Sequence, residues 1–311
     1  MRHAIAVFMF FCAMNLFAAQ RTFVSAASGS DANPCTRALP CRSFAAALAF
    51  TDADGEVIVI DSGGYGPVSI SQAVSLISPN GIHAAVTAPF GNAVTVSAGN
   101  AAHVVLRNLV LSGVAADHGI AVTSVAALYV ERCAIGGFGI QGISFIPAAS
   151  TARLYVTDTT VRGPGDGIYV AGGSRATLDS VHVSGTYLGV DVDIVEQVFI
   201  RNSVADGGNT GFFVHSLSKA TMENCLSSGN ERGFWALDQG VITMTGCTAT
   251  SCTSGVEADG SGSIISVSDS TIAKNTNGVV TMTGGIVISR GNNTLQGNTT
   301  DGTFNGIFSA Q

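Results

Sequence analysis

Gly-Phe-Phe-Val at residues 211–214 and Gly-Phe-Trp-Ala at residues 233–236 are two copies of a short motif that recurs along this chain. Each copy starts with a glycine, followed by an apolar, a variable and a further, mostly apolar residue. The copies begin at Gly119, Gly142, Gly167, Gly189, Gly211, Gly233, Gly255 and Gly278. The steps between these glycines are 23, 25, 22, 22, 22, 22 and 23 residues. A period this regular predicts a stacked repeat architecture.

A second strand-like motif keeps the same period between the glycine motifs. It begins at Leu154, Ala176, Val198, Ala220, Ile242, Ile265 and Ile286. Both motifs alternate apolar and polar residues, which is the signature of a strand with one buried face. Two or three strands in about 22 residues leave no room for a crossover helix. Each coil must therefore stack directly on the previous one, at the strand spacing of about 4.8 Å.

The predicted fold class is all-β: a right-handed parallel β-helix, a single-stranded solenoid of about ten coils of about 22 residues with a short N-terminal capping helix. A leucine-rich repeat would need a Leu-x-x-Leu-x-Leu pattern, which the chain lacks. A β-propeller would need a period of about 40 residues.

The alternation of apolar residues also predicts which side chains point inward. One inward column contains Val156, Leu178, Ile200, Met222, Met244 and Val267, and another contains Cys133, Thr159, Val181, Ser203, Cys225, Cys247 and Ser270. Cysteines in such a column behave as small apolar core residues. The pairing of Cys133, Cys225, Cys247 and Cys252 stays open. No cysteine has the spacing of a zinc site, so no metal is predicted.

The N-terminal part of the chain predicts export and a capped first coil. Residues 1–19 have a short basic start and an apolar segment, which indicates a signal peptide and a secreted, periplasmic or cell-surface protein. No second membrane-span candidate follows. Residues 20–55 are predicted to hold a capping helix at 43–50 and a disulfide between Cys35 and Cys41. The β-helix and a short C-terminal cap are assigned to 56–311.

Charge composition restricts the partners. The net charge is −7, only 11% of residues are charged, and no basic block occurs. Nucleic acid is therefore not a predicted partner, because neutralising phosphates takes clustered Lys and Arg. A polyanionic polysaccharide is mildly disfavoured for the same reason. No cofactor is predicted, and the oligomeric state is left open.

The residues before the first coil resemble a known family. The stretch 23–36, followed by 40–44, Ala47-Leu48 and 64–66, resembles the opening of secreted proteins of the pectate lyase-like right-handed β-helix superfamily. With the repeats, the resemblance covers nearly all of the chain after the signal peptide. It implies the fold, but members include lyases, hydrolases, epimerases, esterases, tailspikes and adhesins, so it implies no single activity. The polygalacturonase-like motifs Asn-x-Asp, Asp-Asp, Gly-His-Gly and Arg-x-Lys are absent, and no acidic calcium cluster beside a catalytic Arg or Lys is apparent.

The strand after each repeat glycine offers two outward columns with candidate site residues. Tyr169, Phe213 and Trp235 are predicted ligand-binding residues, because flat aromatics provide surfaces on which sugar rings stack. The candidates for acid or base chemistry are Asp191, Asp193, His215, Glu257 and Asp259. Asp191 and Asp193 are two residues apart on one strand, roughly 6.5–7 Å, which overlaps the separation in inverting glycosidases. His215 is predicted to be a base oriented by Asp193.

Three functions follow from this face. The leading hypothesis is binding of a polysaccharide or cell-surface glycan on an exposed aromatic and acidic surface centred on Trp235. The alternative is a polysaccharide lyase or glycoside hydrolase, and the third is a structural or adhesin-like surface protein without catalysis. If Trp235 is an exposed binding residue, Trp235→Ala should weaken ligand binding and barely change the thermal midpoint.

Overall fold

The computed structural model describes residues 19–163 and 165–308 as three parallel sheets wound around one core. Sheet A has thirteen strands, sheet B eleven and sheet C ten, and each coil of the solenoid adds a strand to each sheet in turn. The predicted all-β solenoid of about ten coils is confirmed. Residues 1–18, which hold most of the predicted signal peptide, lie outside the described residues.

The strands of the three sheets have the following bounds. Sheet A consists of β1 (Ala19–Val24), β2 (Thr51–Val59), β5 (Val74–Ile77), β8 (His103–Arg107), β11 (Ala127–Glu131), β14 (Arg153–Thr157), β17 (Arg175–Asp179), β20 (Gln197–Arg201), β23 (Lys219–Glu223), β26 (Val241–Thr245), β29 (Ile264–Ser268), β32 (Ile286–Ser289) and β34 (Gly306–Ile307). Sheet B consists of β3 (Gly63–Gly64), β6 (Ala84–Ala88), β9 (Leu109–Gly113), β12 (Ala134–Gly136), β15 (Thr160–Arg162), β18 (His182–Ser184), β21 (Val204–Asp206), β24 (Leu226–Ser228), β27 (Thr248–Thr250), β30 (Thr271–Ala273) and β33 (Thr294–Gln296). Sheet C consists of β4 (Val68–Ile70), β7 (Asn92–Ser97), β10 (His118–Ser124), β13 (Gln141–Phe145), β16 (Asp166–Ala171), β19 (Leu188–Asp193), β22 (Thr210–His215), β25 (Arg232–Leu237), β28 (Ser254–Asp259) and β31 (Asn277–Met282).

Successive coils stack in register, so equivalent residues of the repeat form columns. Phe213 pairs with Trp235, and Trp235 with Glu257. Both predicted inward columns are buried in the core. Cys133, Cys225 and Cys247 lie there as free thiols, and Cys252, which the pattern did not place, is also buried and free. The stacked columns make one continuous core along the axis.

The repeated glycine begins each motif because successive coils approach most closely there. A Cβ atom added at Gly189 would lie 2.3 Å from the carbonyl oxygen of Gly211. One added at Gly167 would lie 2.4 Å from the carbonyl oxygen of Gly189 and 2.3 Å from a methyl carbon of Val183. Real Cβ contacts are never this short, so any side chain would force neighbouring coils apart.

The first coil is closed by more than a helix. Helix α1 spans Phe44–Leu48 and is capped by the Ser43 hydroxyl, which accepts a hydrogen bond from the backbone N–H of Ala46. It is shorter than the predicted 43–50 because Ser43 is the N-cap and Ala49 the C-cap, and the chain enters β2 at Thr51, within the segment predicted to precede the solenoid. Strand β1 also pairs with β2 and covers its edge.

The two ends of the solenoid also carry a disulfide and a short C-terminal cover. Cys35 and Cys41 are joined by a disulfide, with Cα atoms 4.6 Å apart. At the other end β34 pairs with β32, and Phe304 packs against the core.

In the part of the chain that the structure describes, no helix is long and apolar enough to cross a membrane.

Candidate functional site

The outer face of sheet C carries the predicted site residues in the two expected columns, beside a third column that was not predicted. The third column lies directly before each repeat glycine and includes Asp166 on β16 and Arg232 on β25. Alternation from the rest of the strand would point these residues inward. The ladder skips the glycine, however, pairing Thr210 with Arg232 and then Phe212 with Phe234. This local break in the period-2 pattern brings Asp166 and Arg232 to the outer face, so alternation alone does not predict them there.

Five side chains on β16, β19 and β22 form what we call the acidic cluster: Asp166, Tyr169, Asp191, Asp193 and His215. His215 Nε2 lies 2.9 Å from Asp191 Oδ1, whereas its Nδ1 lies 3.6 Å from Asp193 Oδ1. The Tyr169 hydroxyl donates to Asp193 Oδ2 at 2.9 Å. His215 is thus oriented mainly by Asp191, diagonally across the ladder. The predicted orientation by its register neighbour Asp193 is wrong.

Burial and charge shift the proton affinities within the acidic cluster. Burial raises the pKa of the Asp191 carboxyl, although the hydrogen bond from His215 opposes this. Burial, reinforced by the charge of Asp191, also raises the pKa of Asp166. For His215, burial favours the neutral imidazole, but the hydrogen bond and charge of Asp191 outweigh it, so its pKa lies above 6.5. These shifts favour a protonated imidazole beside its carboxylates.

Asp191 and Asp193 do not have an open space between their carboxylates, as the predicted glycosidase geometry would require. An inverting glycosidase holds substrate and a water molecule between its carboxyl groups. Here the imidazole of His215 contacts both carboxylates and occupies that position. Tyr169 is hydrogen-bonded to Asp193 and His215 to Asp191, while Asp193 lies 3.6 Å from the imidazole, and this arrangement does not match the two-carboxylate geometry that the spacing suggested.

The predicted aromatic platform is packed against its own neighbours. The Phe213 ring stacks on Trp235 at 4.2 Å between centroids and on His215 at 4.3 Å. The Arg232 guanidinium lies 4.5 Å from the Trp235 ring centroid, and Arg232 Nε donates to Glu257 at 3.1 Å. Phe213 is 8% exposed and Glu257 only 2%. Both residues point outward as predicted, but the neighbouring columns bury them.

Trp235 is therefore half-buried, and the expectation of a freely exposed ring is wrong. Its indole N–H is buried and has no hydrogen-bond partner among the described residues. Because Trp235 packs against Phe213 and Arg232, Trp235→Ala should lower the stability of the protein as well as weaken any binding.

Asp259 lies two coils beyond His215 along the same column and makes no ion pair in the described part of the chain. It is not part of the acidic cluster.

A family model described as "Right handed beta helix region" matches residues 141–300. The chain belongs to this right-handed β-helix family. No protein of curated function matches its sequence.

Solved structures show the same architecture for this right-handed β-helix protein. Pectate lyase Pel9A is similar at a TM-score of 0.54 and 14% identity, over 88% of this chain and 74% of that one. A rhamnogalacturonan lyase is similar at 0.56 and 13%, over 91% and 88%. The GH136 lacto-N-biosidase from Eubacterium ramulus is similar at 0.51 and 10%, over 92% and 66%. The predicted pectate lyase-like fold is confirmed, and identities this low show the fold alone.

Two further features set the acidic cluster of this right-handed β-helix protein in context. On sheet B, His182 Nε2 lies 3.0 Å from Asp206 Oδ2, so a His–Asp pair by itself is not distinctive here. That pair is about 40% exposed, whereas the His215 and Asp191 side chains are 19% and 9% exposed. Within residues 19–163 and 165–308, no group of three or more His, Cys, Asp or Glu residues is arranged to hold a metal ion.

Replacing His215 by glutamine should remove a pH-dependent contribution to stability. Because the pKa of His215 is raised in the folded protein, its proton stabilises the fold below the unfolded pKa of 6.5. This contribution is lost as pH rises through the folded pKa. Urea unfolding of wild type and His215→Gln at about pH 5.5 and about pH 8.5 should show the larger difference at the lower pH.

His118 provides a control of opposite sign for this experiment. Burial lowers its pKa, so protonation on acidification destabilises the folded state. His118→Gln should therefore gain stability relative to wild type as the pH falls. An equal pH dependence for both variants would contradict the assignment of His215 to a charged pair with Asp191.

Proposed function

We propose that this protein is exported and binds a neutral glycan at the acidic cluster on the outer face of sheet C. The single observation that carries the proposal is the convergence of two carboxylates, Asp191 and Asp193, on the His215 imidazole across adjacent coils. Sugar hydroxyls donate to carboxylates, and such charge-assisted hydrogen bonds are roughly twice as strong as neutral ones. The repeat of about 4.8 Å between coils lets a chain of sugars pass from one group to the next.

Exposure identifies the groups that a ligand would reach. The side chains of Asp193 and His215 are 21% and 19% exposed, and Asp191, at 9%, lies behind the imidazole and holds it. Phe213 stacks on His215, and Trp235 stacks on the Phe213 ring, so aromatic rings cover that edge of the cluster. Tyr169 supports Asp193 through its hydroxyl. In this proposal binding centres on Asp193 and His215 instead of on an exposed Trp235.

The charge of the face favours a neutral ligand. Asp166, Asp191, Asp193, Glu257 and Asp259 lie along it, against Arg232 and the imidazole of His215. A uronate approaching this surface would meet net negative charge at short range.

The proposal that the protein is exported rests on the apolar segment within residues 1–19 and on the Cys35–Cys41 disulfide, which suits a secreted, periplasmic or cell-surface protein.

A glycan array with neutral and uronate-containing oligosaccharides tests the binding proposal. Wild type should retain neutral glycans, and Asp193→Asn should bind them about tenfold more weakly, the loss of one charge-assisted hydrogen bond. The matched control is Asp206→Asn, which changes the carboxylate of the His–Asp pair on sheet B and should not alter binding. Retention of uronate-containing glycans alone, or indifference to Asp193→Asn, would refute the proposal.

Glycoside hydrolysis is a second candidate, favoured by one specific observation. Burial raises the pKa of the Asp166 carboxyl, and a raised pKa is typical of a carboxyl that acts as a general acid. Release of reducing ends from the array ligands, lost in Asp166→Asn and kept in Asp206→Asn, would replace the binding proposal by hydrolysis. If the protein neither binds nor cleaves any glycan, the remaining hypothesis is a structural surface protein.

A further inference from the structure

The outer face of sheet A carries an aromatic column that the sequence patterns did not single out. Its members stack in register on successive coils: Tyr129, Tyr155, Thr177, Phe199, Thr221 and Thr243. The rings of Tyr129 and Tyr155 are stacked, with centroids 4.8 Å apart and planes inclined by 8°. Thr177 then interrupts the column, and Phe199 resumes it one coil later with 52% of its surface exposed. The column therefore has a gap of one ring.

The gap over Thr177 is a depression of about 330 Å³. Tyr155 and Phe199 lie two coils apart, roughly 9.6 Å, so a ring centred over Thr177 would be about 4.8 Å from each. This spacing equals that of the stacked Tyr129–Tyr155 pair. A pyranose chair, whose C–H faces are apolar, fits between two aromatic rings at this spacing.

The rim of this depression is positively charged. Arg153, Arg175, Glu196 and Gln197 line it beside the aromatic residues. Arg175 is paired with Glu196, its Nη2 lying 2.6 Å from Glu196 Oε2. Arg153 has no ion-pair partner among the described residues. One guanidinium is thus left to receive an anionic group, and a guanidinium fork matches a carboxylate with two parallel hydrogen bonds.

We propose that the gap over Thr177 binds one pyranose ring that carries a carboxylate, with the ring between Tyr155 and Phe199 and the carboxylate on Arg153. Apolar walls with a small number of placed polar groups are the usual composition of a small-molecule site. The site lies on a different sheet from the acidic cluster and has the opposite charge. It is independent of the function proposed for sheet C.

The first test fills the gap. Ligand-observed NMR titrations of the full chain should show that methyl β-glucuronide binds more tightly than methyl β-glucoside. Thr177→Phe would continue the aromatic column through the gap and should weaken glucuronide binding at least about tenfold, since the ring can no longer enter. Thr243→Phe, the same change at the equivalent exposed position three coils on, should leave binding unchanged.

The second test separates ring from charge. Arg153→Gln should bring the affinity for the glucuronide down to that for the glucoside while glucoside binding remains. Circular dichroism and thermal melting confirm that each variant is folded. Wild type that binds neither probe, or glucuronide binding that survives Thr177→Phe, would overturn the proposal. Asp193→Asn should not change glucuronide binding, so failure on sheet A and failure on sheet C are distinguishable.

Discussion

Replacing Phe234 by alanine is expected to lower the free energy of unfolding by about 3–5 kcal/mol. Phe234 is fully buried in the core and stacks on Phe212, with ring centroids 5.1 Å apart and planes inclined by 10°. The substitution removes this contact and leaves a cavity that the stacked coils cannot close, because each coil is hydrogen-bonded to both neighbours. Urea unfolding followed by circular dichroism measures the loss.

The control for this prediction is Phe90→Ala, the same change at a ring that is 76% exposed between β6 and β7. It should change the unfolding free energy by no more than about 0.5 kcal/mol. Because neighbouring repeats stabilise one another, Phe234→Ala should also increase local hydrogen exchange most strongly in the adjacent coils. A Phe234→Ala protein as stable as Phe90→Ala would contradict the assignment of Phe234 to the core.

Gly189→Ala is expected to destabilise the protein by about 3 kcal/mol, at the upper end of the range for overpacking. The added methyl group would lie 2.3 Å from the carbonyl oxygen of Gly211 and 3.2 Å from Cβ of Ala205. The first of these neighbours is backbone and cannot change rotamer. The coils that contain Gly189 and Gly211 would have to separate, which would weaken the hydrogen-bonded ladder between β19 and β22. Thermal and urea unfolding measure the effect.

Gly64→Ala is the matched control, because a Cβ atom at Gly64 meets nothing within 4 Å. It should be neutral or slightly stabilising, since alanine reduces the entropy of the unfolded chain. Equal stability of the two variants would show that the close approach of neighbouring coils does not require a glycine at this position. The clash at Gly189 recurs at the other glycines of the column, so Gly211→Ala should behave like Gly189→Ala.

The fold could be predicted because its determinants are local and repeated. The glycine period fixes the coil length, and the alternation of apolar residues fixes which side chains enter the core, as Val156 and Leu178 do. The same arithmetic predicted that Phe213, Trp235 and Glu257 form one outward column. It missed the gap at Thr177, although Tyr155, Thr177 and Phe199 are each 22 residues apart and the signal was present in the sequence.

Exposure within the outward columns was the part that spacing could not supply. Glu257 is 2% exposed because the Arg232 guanidinium reaches across from a neighbouring column, and Phe213 is buried between Trp235 and His215. Outward direction is a property of one strand, whereas exposure depends on the rotamers of side chains on three strands and three columns. Asp166 and Arg232 escaped prediction because the glycine breaks the alternation just after them.

The sequence by itself determined the solenoid, its period, its core columns and the column to which each candidate residue belongs, because a parallel stack repeats one local pattern. Only the tertiary structure decided that His215 pairs with Asp191 across the ladder, that the Trp235 ring is covered, and that Arg153 faces a gap between two rings. The contacts between coils join residues about 22 positions or more apart, such as His215 with Asp191 and Trp235 with Phe213, and these side chains can lean along either diagonal. The choice between diagonals depends on packing against the neighbouring columns, which no single strand contains.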